Sequence, residues 1–212
     1  MEMNGMEDNN YAFFAMLDRM QYIARWALMR NSRTENIKEH SFDVAVIAQC
    51  LASMYNRNHS GEEGFIEIDP YEAAVIGLYH DCTEIITGDL PTPIKYRNDE
   101  IKKAYKEVES EAAESLADLL PEEFREEYLR LLDPKFDGVN GAAMKKVVKA
   151  ADKISAYVKC LREESTGNTE FSSAKKTLAA YIDGMGLAEA DEFMKTFIPP
   201  YSFTLDQLNG KD

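Results

Sequence analysis

A chain of 212 residues, 45% apolar and 29% charged, has the composition of a soluble globular protein and the length of one large domain. A net charge of −14 works against nucleic-acid binding, and no basic run exceeds a pair such as Lys145-Lys146 or Lys175-Lys176. No apolar run approaches the roughly 20 residues of a membrane span, and Cys50, Cys82 and Cys160, scattered outside CxxC pairs, suit free thiols in a reducing cytoplasm. An anionic substrate would need specific cations, and Arg25, Arg30, Arg33 and Lys95 are the candidates.

Residues 1–10 are acidic and polar. They lack the basic-then-apolar order of a secretory signal and read as a disordered leader, with residues 11–212 forming one domain. From Tyr11 to about Met29, Phe13, Phe14, Leu17, Met20, Ile23 and Ala27 recur at spacings near three and four. That pattern predicts an amphipathic helix carrying Arg25-Trp26 near its end. Asn36 and Glu39 read as a capping pair opening a second helix, with His40 in its first turn. Val44, Ile47, Ala48, Leu51, Met54 and Tyr55 give it a buried stripe, and residues 56–68 form a connection.

Asp69-Pro70-Tyr71-Glu72 supplies an N-cap, Pro at the first position and an acid in the first turn. The helix it opens is expected to run to Gly88 and, being apolar nearly all round, to be the central one. Asp89-Leu90-Pro91-Thr92-Pro93 cannot continue it and predicts a rigid loop. Further helices are expected over 98–120, from Pro121 to about Leu132, over 142–164, 171–182 and 187–197, before Pro199-Pro200 and a short tail. No strand pattern, repeat or low-complexity tract occurs, so the class is all-α.

His80-Asp81 joins an imidazole to a carboxylate. Helical neighbours lie ~100° apart, so both can lean toward one point beside the helix. Glu84 lies on the same side, four residues after His80 and three after Asp81. Imidazole and carboxylate together suit a borderline divalent metal, and a third, uncoordinated carboxylate is placed to act as a base. The plainer reading is an exposed polar turn holding a chance dipeptide. His40 also sits on a helix with an apolar face, while His59, among Asn, Arg, Ser and Gly, reads as solvated. Asp152, flanked by Ala150, Ala151 and Ile154, is costly to bury unless a cation, a donor or water answers it. Lys149 or Lys153 could serve, as could a metal shared with His80-Asp81. Cys82 points roughly 200° from His80 and reads as core.

His40, His80-Asp81 and Asp152 follow the H…HD…D order of HD-domain metal phosphohydrolases. Several further stretches narrow the match: Arg25-Trp26, Met29-Arg30-Asn31, Arg33-Thr34-Glu35-Asn36, Glu39-His40-Ser41, Thr87-Gly88-Asp89-Leu90-Pro91-Thr92-Pro93 and Tyr157-Val158-Lys159-Cys160-Leu161. With these the chain resembles the bacterial HD-domain 5′-deoxynucleotidases, the YfbR-like proteins, from about Phe13 to Asp206. The H…HD…D order alone says only HD domain; the Arg-Trp pair and the Thr-Gly-Asp-Leu-Pro-Thr loop are narrower. Ala27 stands where relatives can have Pro, and the leader and the 56–68 connection are longer than the resemblance leads one to expect.

The resemblance implies an all-α HD-domain helical bundle, homodimeric and cytoplasmic, that hydrolyses deoxyribonucleoside 5′-monophosphates to deoxynucleoside and phosphate. It implies one divalent ion, commonly Co²⁺ in vitro with Mn²⁺, Fe²⁺, Zn²⁺ or Cu²⁺ as other candidates, held by His40, His80, Asp81 and Asp152. Arg25 would hold the phosphate, Trp26 would face the sugar, and Asp89, Leu90, Pro91 and Thr92 would line the nucleotide. The ligands His40, Asp81 and Asp152 would border the substrate as well. Glu84, Arg25 and Asp89 would be catalytic, with Glu84 and Asp89 unassigned between base and acid. Two other readings stand beside this one: hydrolysis of nucleoside triphosphates or cyclic nucleotides, and a nucleotide-binding module without turnover.

Overall fold

The computed structural model describes residues 10–95 and 97–210, leaving aside the side chains of Thr92 and Pro93. The leader expected over residues 1–10 therefore lies outside the described residues except for Asn10, which is exposed. Eleven helices order the described chain: α1 (Phe13–Asp18), α2 (Ile37–His59), α3 (Pro70–Tyr79), α4 (Glu84–Thr87), α5 (Thr92–Lys95), α6 (Asp99–Ala117), α7 (Glu122–Leu132), α8 (Gly141–Ser165), α9 (Ser172–Gly184), α10 (Ala188–Thr196) and α11 (Leu205–Leu208). Among the described residues the one extended pairing is an isolated bridge, Ala24 to Asn36, so the fold is all-α as expected. None of these helices is long and apolar enough to cross a membrane.

Three helix starts follow from single side chains. Asn36 accepts the Glu39 N–H, Asp69 the Tyr71 N–H and Asn98 the Ile101 N–H, at 2.9, 2.8 and 2.8 Å. Each cap satisfies a donor the first turn would leave unpaired, and replacing one with Ala typically costs about 1 kcal/mol.

The core has two parts. Val44, Ile47 and Leu51 of α2 pack with Ile76 of α3, Val147, Ile154 and Val158 of α8, Ile182 of α9 and Phe193 of α10. A second cluster joins Phe13, Met20, Ile37, Cys82, Leu116, Leu120 and Leu132. The most buried helices are thus α2 and α8, and not the one that starts at Asp69. Within α3 only Ala73, Ile76 and Gly77 are buried, and Leu78 is 42% exposed. Gly77 lets α3 press against α2: a Cβ there would come within 2.9 Å of the Ala45 Cα.

Four further expectations need correction. The first helix ends at Asp18 and a 3-10 turn ends at Tyr22. Beyond it the chain is extended: the Arg25 N–H donates to the Glu35 carbonyl at 2.9 Å and the Ile37 N–H to the Ile23 carbonyl at 3.0 Å. Arg25 therefore lies on a bridged segment, where residues 35–37 supply the backbone partners a helix would otherwise supply, and Trp26 opens the turn that follows, its carbonyl accepting the Met29 N–H at 2.9 Å. The helix from Asp69 stops at Tyr79, not at Gly88. Residues 80–83 form tight turns, with Cys82 N–H to Tyr79 carbonyl, Glu84 N–H to Asp81 carbonyl and Ile85 N–H to Cys82 carbonyl near 3.0 Å. These three-residue bonds overwind the chain before α4. The loop after Gly88 regains one helical turn, α5, because Pro is tolerated at a helix start. Finally, α2 runs past Asn56, so His59 ends a helix instead of sitting in a loop. Its ring lies 4.3 Å from Tyr55 and its Nδ1 is 2.7 Å from Glu62.

Candidate active site

The tight α2–α3 crossing brings two imidazoles together. His40, fully buried in the first turn of α2, has its ring centroid 5.2 Å from that of His80, which caps α3. The other side is closed by Asp152 in the middle of α8. One ligand atom each from His40, His80 and Asp152 lie within 4.8 Å of one another. Asp81 reaches both rings: its Oδ2 is 3.1 Å from His80 Nε2 and 3.6 Å from His40 Nε2. The four residues singled out in the sequence are thus gathered at one place.

Their orientation is informative. His80 Nδ1 lies 2.8 Å from the Gly77 carbonyl, which can only accept, so Nδ1 carries the proton. In a neutral ring Nε2 then turns a lone pair toward the Asp81 carboxylate. His40 Nδ1 is held 2.9 Å from Ser155 Oγ, and its Nε2 faces Asp152 Oδ1 at 3.3 Å. Both Nε2 atoms are buried and without a hydrogen-bond partner. Two imidazole Nε2 atoms and two carboxylates converging on one point form a donor set that a divalent cation fits, and Ser155 and the Gly77 carbonyl hold the rings as outer partners of metal-binding histidines do.

The electrostatics separate the two rings, since burial disfavours charge on His80 but Asp81 outweighs it and raises the His80 pKa. Burial, with Arg25 adding to it, lowers the His40 pKa to about 4, so its ring is neutral. Burial disfavours charge on Asp81, but His80 and His40 outweigh it and hold the carboxyl below its ordinary range. Asp152 is also held low against its burial, by Lys149, Lys153 and His40. Its Oδ2 takes Lys149 at 2.9 Å and Lys153 at 3.1 Å while Oδ1 stays on the His40 side. The lysines weighed for this buried acid thus answer one oxygen and leave the other facing His40.

Glu84 opens α4 beside this cluster, 7% exposed, with Oε2 buried and unpartnered. Burial first, then Asp81 and Asp89, push its carboxyl up to about 9. Asp89 follows Gly88, whose φ of +72° turns the chain back toward the site. Burial raises the Asp89 pKa, with Asp81 adding to the rise, while Arg25 and the Trp26 backbone N–H oppose it. Leu90 and Pro91 follow, half-buried; the Thr92 side chain lies outside the described residues.

Among the four candidate cations, Arg25 is the one drawn into the centre. Burial disfavours its charge, but Glu35, Asp81 and Asp152 together raise its pKa. Nη1 pairs with Glu35 at 2.6 Å, the two side chains being 12% and 6% exposed, which leaves the rest of the fork for an oxyanion. Arg30 and Arg33 instead pair with Glu170 and Glu39, with side chains 90% and 79% exposed. Lys95, near Glu84 and Asp89, pairs with Glu109 at 2.5 Å. Trp26 holds φ at +58°, a conformation bulky residues rarely adopt. Its Nε1 is buried without a partner and its ring stacks edge-on against Phe171 at 5.4 Å. Cys82 is core, as expected, with Sγ 3.6 Å from Met20 Sδ.

The sequence reading missed Glu35 and Ser155. Glu35 stands in the Arg33-Thr34-Glu35-Asn36 stretch, and a carboxylate beside a capping Asn was a usable signal. Ser155, three residues after Asp152 on the same helix face, was another.

This arrangement of helices is found in solved HD-domain phosphohydrolases. One from Listeria innocua superposes with a TM-score of 0.73 at 23% identity, over 89% of this chain and 87% of its own. The cyanophage S-2L HD phosphohydrolase DatZ, solved bound to dA and one catalytic Zn²⁺, matches 96% of this chain and 100% of its own with a TM-score of 0.59 at 19% identity. At the sequence level the family model 5′-deoxynucleotidase YfbR-like matches residues 12–201. The 5′-deoxynucleotidase ECA3034 of Pectobacterium atrosepticum is 42% identical over 201 residues, 95% of this chain and 97% of that one. The chain belongs to the YfbR-like 5′-deoxynucleotidase family.

Proposed function

We propose that this enzyme hydrolyses deoxyribonucleoside 5′-monophosphates to deoxynucleoside and phosphate at a single divalent-metal site formed by His40, His80, Asp81 and Asp152. The observation that carries the site is the pair of buried, unpartnered Nε2 atoms aimed at two carboxylates. Family membership supports the substrate. Imidazole and carboxylate ligands suit Co²⁺, Mn²⁺, Fe²⁺, Zn²⁺ or Cu²⁺. The ion would supply Lewis acidity at the phosphoryl oxygen and a lowered pKa for water.

The chain's own residues do the rest. Arg25, braced by Glu35, offsets charge on the phosphoryl oxygens. Glu84 orients the attacking water and takes its proton. Asp89, beside Arg25 and Asp81, delivers a proton to the departing 5′ oxygen. Leu90 and Pro91 line the nucleotide, and His40, Asp81 and Asp152 border it from the metal side. The reading includes a cytoplasmic homodimer that binds no nucleic acid. Three free thiols, a net charge of −14 and exposed apolar side chains such as Leu28 and Phe42 support it. Loss of the parent nucleotide, followed by chromatography for dAMP, dATP and cyclic AMP, tests the substrate class: only dAMP should be turned over efficiently, and faster hydrolysis of dATP or cyclic AMP would overturn the assignment.

Two substitutions test the substrate contacts. Arg25→Ala should lower kcat/KM for dAMP far more than Arg33→Ala, by about 10²-fold if two charge-assisted hydrogen bonds of ~1.5 kcal/mol are lost. Arg25→Lys should restore it only in part, since an ammonium cannot make the fork. Equal, small losses in both alanine variants would mean that the phosphate is held elsewhere. At the sugar, we read the Trp26 ring as filling the space a 2′-hydroxyl would need, and an apolar pocket rejects an added hydroxyl by about 10². Wild type should therefore prefer dAMP over AMP by at least about that factor in kcat/KM. Trp26→Ala should narrow the gap by admitting AMP, and an unchanged ratio would make Trp26 structural.

A further inference from the structure

We propose that the buried Lys159–Glu163 pair on α8 is a positioning device that holds the Trp26 loop and thereby sets the discrimination between deoxyribose and ribose. This rests on Trp26 being the sugar-facing residue. Lys159 and Glu163 are 3% and 1% exposed and pair with each other one helical turn apart. Neither hydrogen-bonds to His40, His80, Asp81, Asp152 or Glu84. What they bind is the loop between Trp26 and Glu35.

Glu163 Oε2 accepts the Ser32 N–H at 2.8 Å, the Ser32 hydroxyl at 2.6 Å and the Asn168 amide at 2.7 Å. Oε1 accepts Lys159 Nζ and, more weakly, the Arg33 N–H at 3.4 Å. The same Lys159 ammonium donates to the Arg33 carbonyl at 2.5 Å, and the Asn168 amide donates to the Arg30 carbonyl at 2.7 Å. Backbone groups at 30, 32 and 33 are thus held by one cluster. A carboxylate offers about four acceptor sites, and here they are filled from three segments of chain.

The cluster continues to the tryptophan. Lys159 Nζ lies 5.3 Å from the ring centroid of Phe171, which is fully buried, and that ring carries Trp26. Within the loop Asn31 Nδ2 also donates to the Trp26 and Met29 carbonyls at 3.1 and 2.9 Å and Arg30 pairs with Glu170, while Leu28, 79% exposed, packs little. A bulky residue at positive φ persists only where its surroundings over-determine it. A buried ion pair is not needed for stability as such, because an apolar pair of similar volume often serves as well. What an apolar pair cannot do is fix three backbone groups of a polar loop.

Glu163→Gln tests this with almost no change of shape. The amide keeps one acceptor oxygen and turns an NH₂ toward existing donors, so the loop loses part of its anchor. The measurements are kcat/KM for dAMP and AMP, metal content, and the emission and acrylamide quenching of Trp26, the only tryptophan. Glu163→Gln should lower the dAMP/AMP ratio at least about tenfold, mainly by raising turnover of AMP, given that one hydrogen bond is worth about fivefold and several are disturbed. Metal content should stay at the wild-type value, and Trp26 emission should shift red with stronger quenching. Ser32→Ala, which removes one hydroxyl from an exposed loop residue, should move ratio and emission the same way by a few-fold. It decides the matter should Glu163→Gln not fold. A ratio unchanged in Glu163→Gln, or in Ser32→Ala where that variant decides, would overturn the clamp if Trp26→Ala has narrowed the gap, and would leave the sugar reading standing. A ratio unchanged in Trp26→Ala would overturn both.

Discussion

Asp152→Ala is expected to abolish metal binding and phosphate release together while the helical fold persists. In the proposed site Asp152 is the ligand from α8, and its Oδ1 faces His40 Nε2 at 3.3 Å. Without it two imidazoles and Asp81 remain, a weaker and less neutralising set for a divalent ion. Lewis acidity is worth several kcal/mol at a phosphoryl centre, so the loss should be on the order of 10³-fold or more. The fold should survive for a stated reason. Removing one partner of a buried pair is destructive when the other charge is stranded, but Lys149 and Lys153 have side chains 40% and 21% exposed and can reach water. Elemental analysis and far-UV circular dichroism check both halves. One bound ion per chain in the alanine variant would remove Asp152 from the ligand set.

Glu84→Ala should cut kcat by about 10²–10⁴, or roughly 3–5 kcal/mol of barrier, and leave the metal bound. Burial, then Asp81 and Asp89, push this carboxyl up to about 9, so in the empty site it holds a proton near neutrality. A divalent charge among the ligands offsets the repulsion from Asp81 and lowers that value toward the range useful for a base. Its buried Oε2 has no partner, as expected of an acceptor waiting for a water. Glu84→Gln, of the same shape but unable to accept a proton, should be nearly as slow. An unchanged kcat, or metal lost from the alanine variant, would mean that Glu84 has another role.

Much of this architecture is legible in the sequence because burial restricts what a polar residue can be doing. Asp152 among Ala150, Ala151 and Ile154, and His40 beneath Val44 and Ile47, each demand a partner, and the helical period says which face they occupy. Asn36, Asp69 and Asn98 announce helix starts by a local hydrogen bond, so their effect does not depend on the rest of the fold. The bridge between Ala24 and Asn36 was not legible. It involves single residues ten or more positions apart, too short to leave a periodic trace, and the apolar spacing from Phe13 to Ala27 imitates one helix. The break at residues 80–83 was hidden for a related reason. His80, Asp81, Cys82 and Thr83 keep helical spacing, and the turn tightens where Cys82 enters the Met20 core while His80 and Asp81 face α2. The centrality of α2 and α8 was likewise invisible, because apolar residues all round α3 give no direction and Leu78 remains exposed.

The account stands most directly on a titration of metal-free protein with Co²⁺ or Mn²⁺, following phosphate release from dAMP. It predicts no turnover in excess chelator and activity that rises with added ion to a plateau at one equivalent per chain. Full activity in chelator, or a plateau reached only at two equivalents, would contradict it.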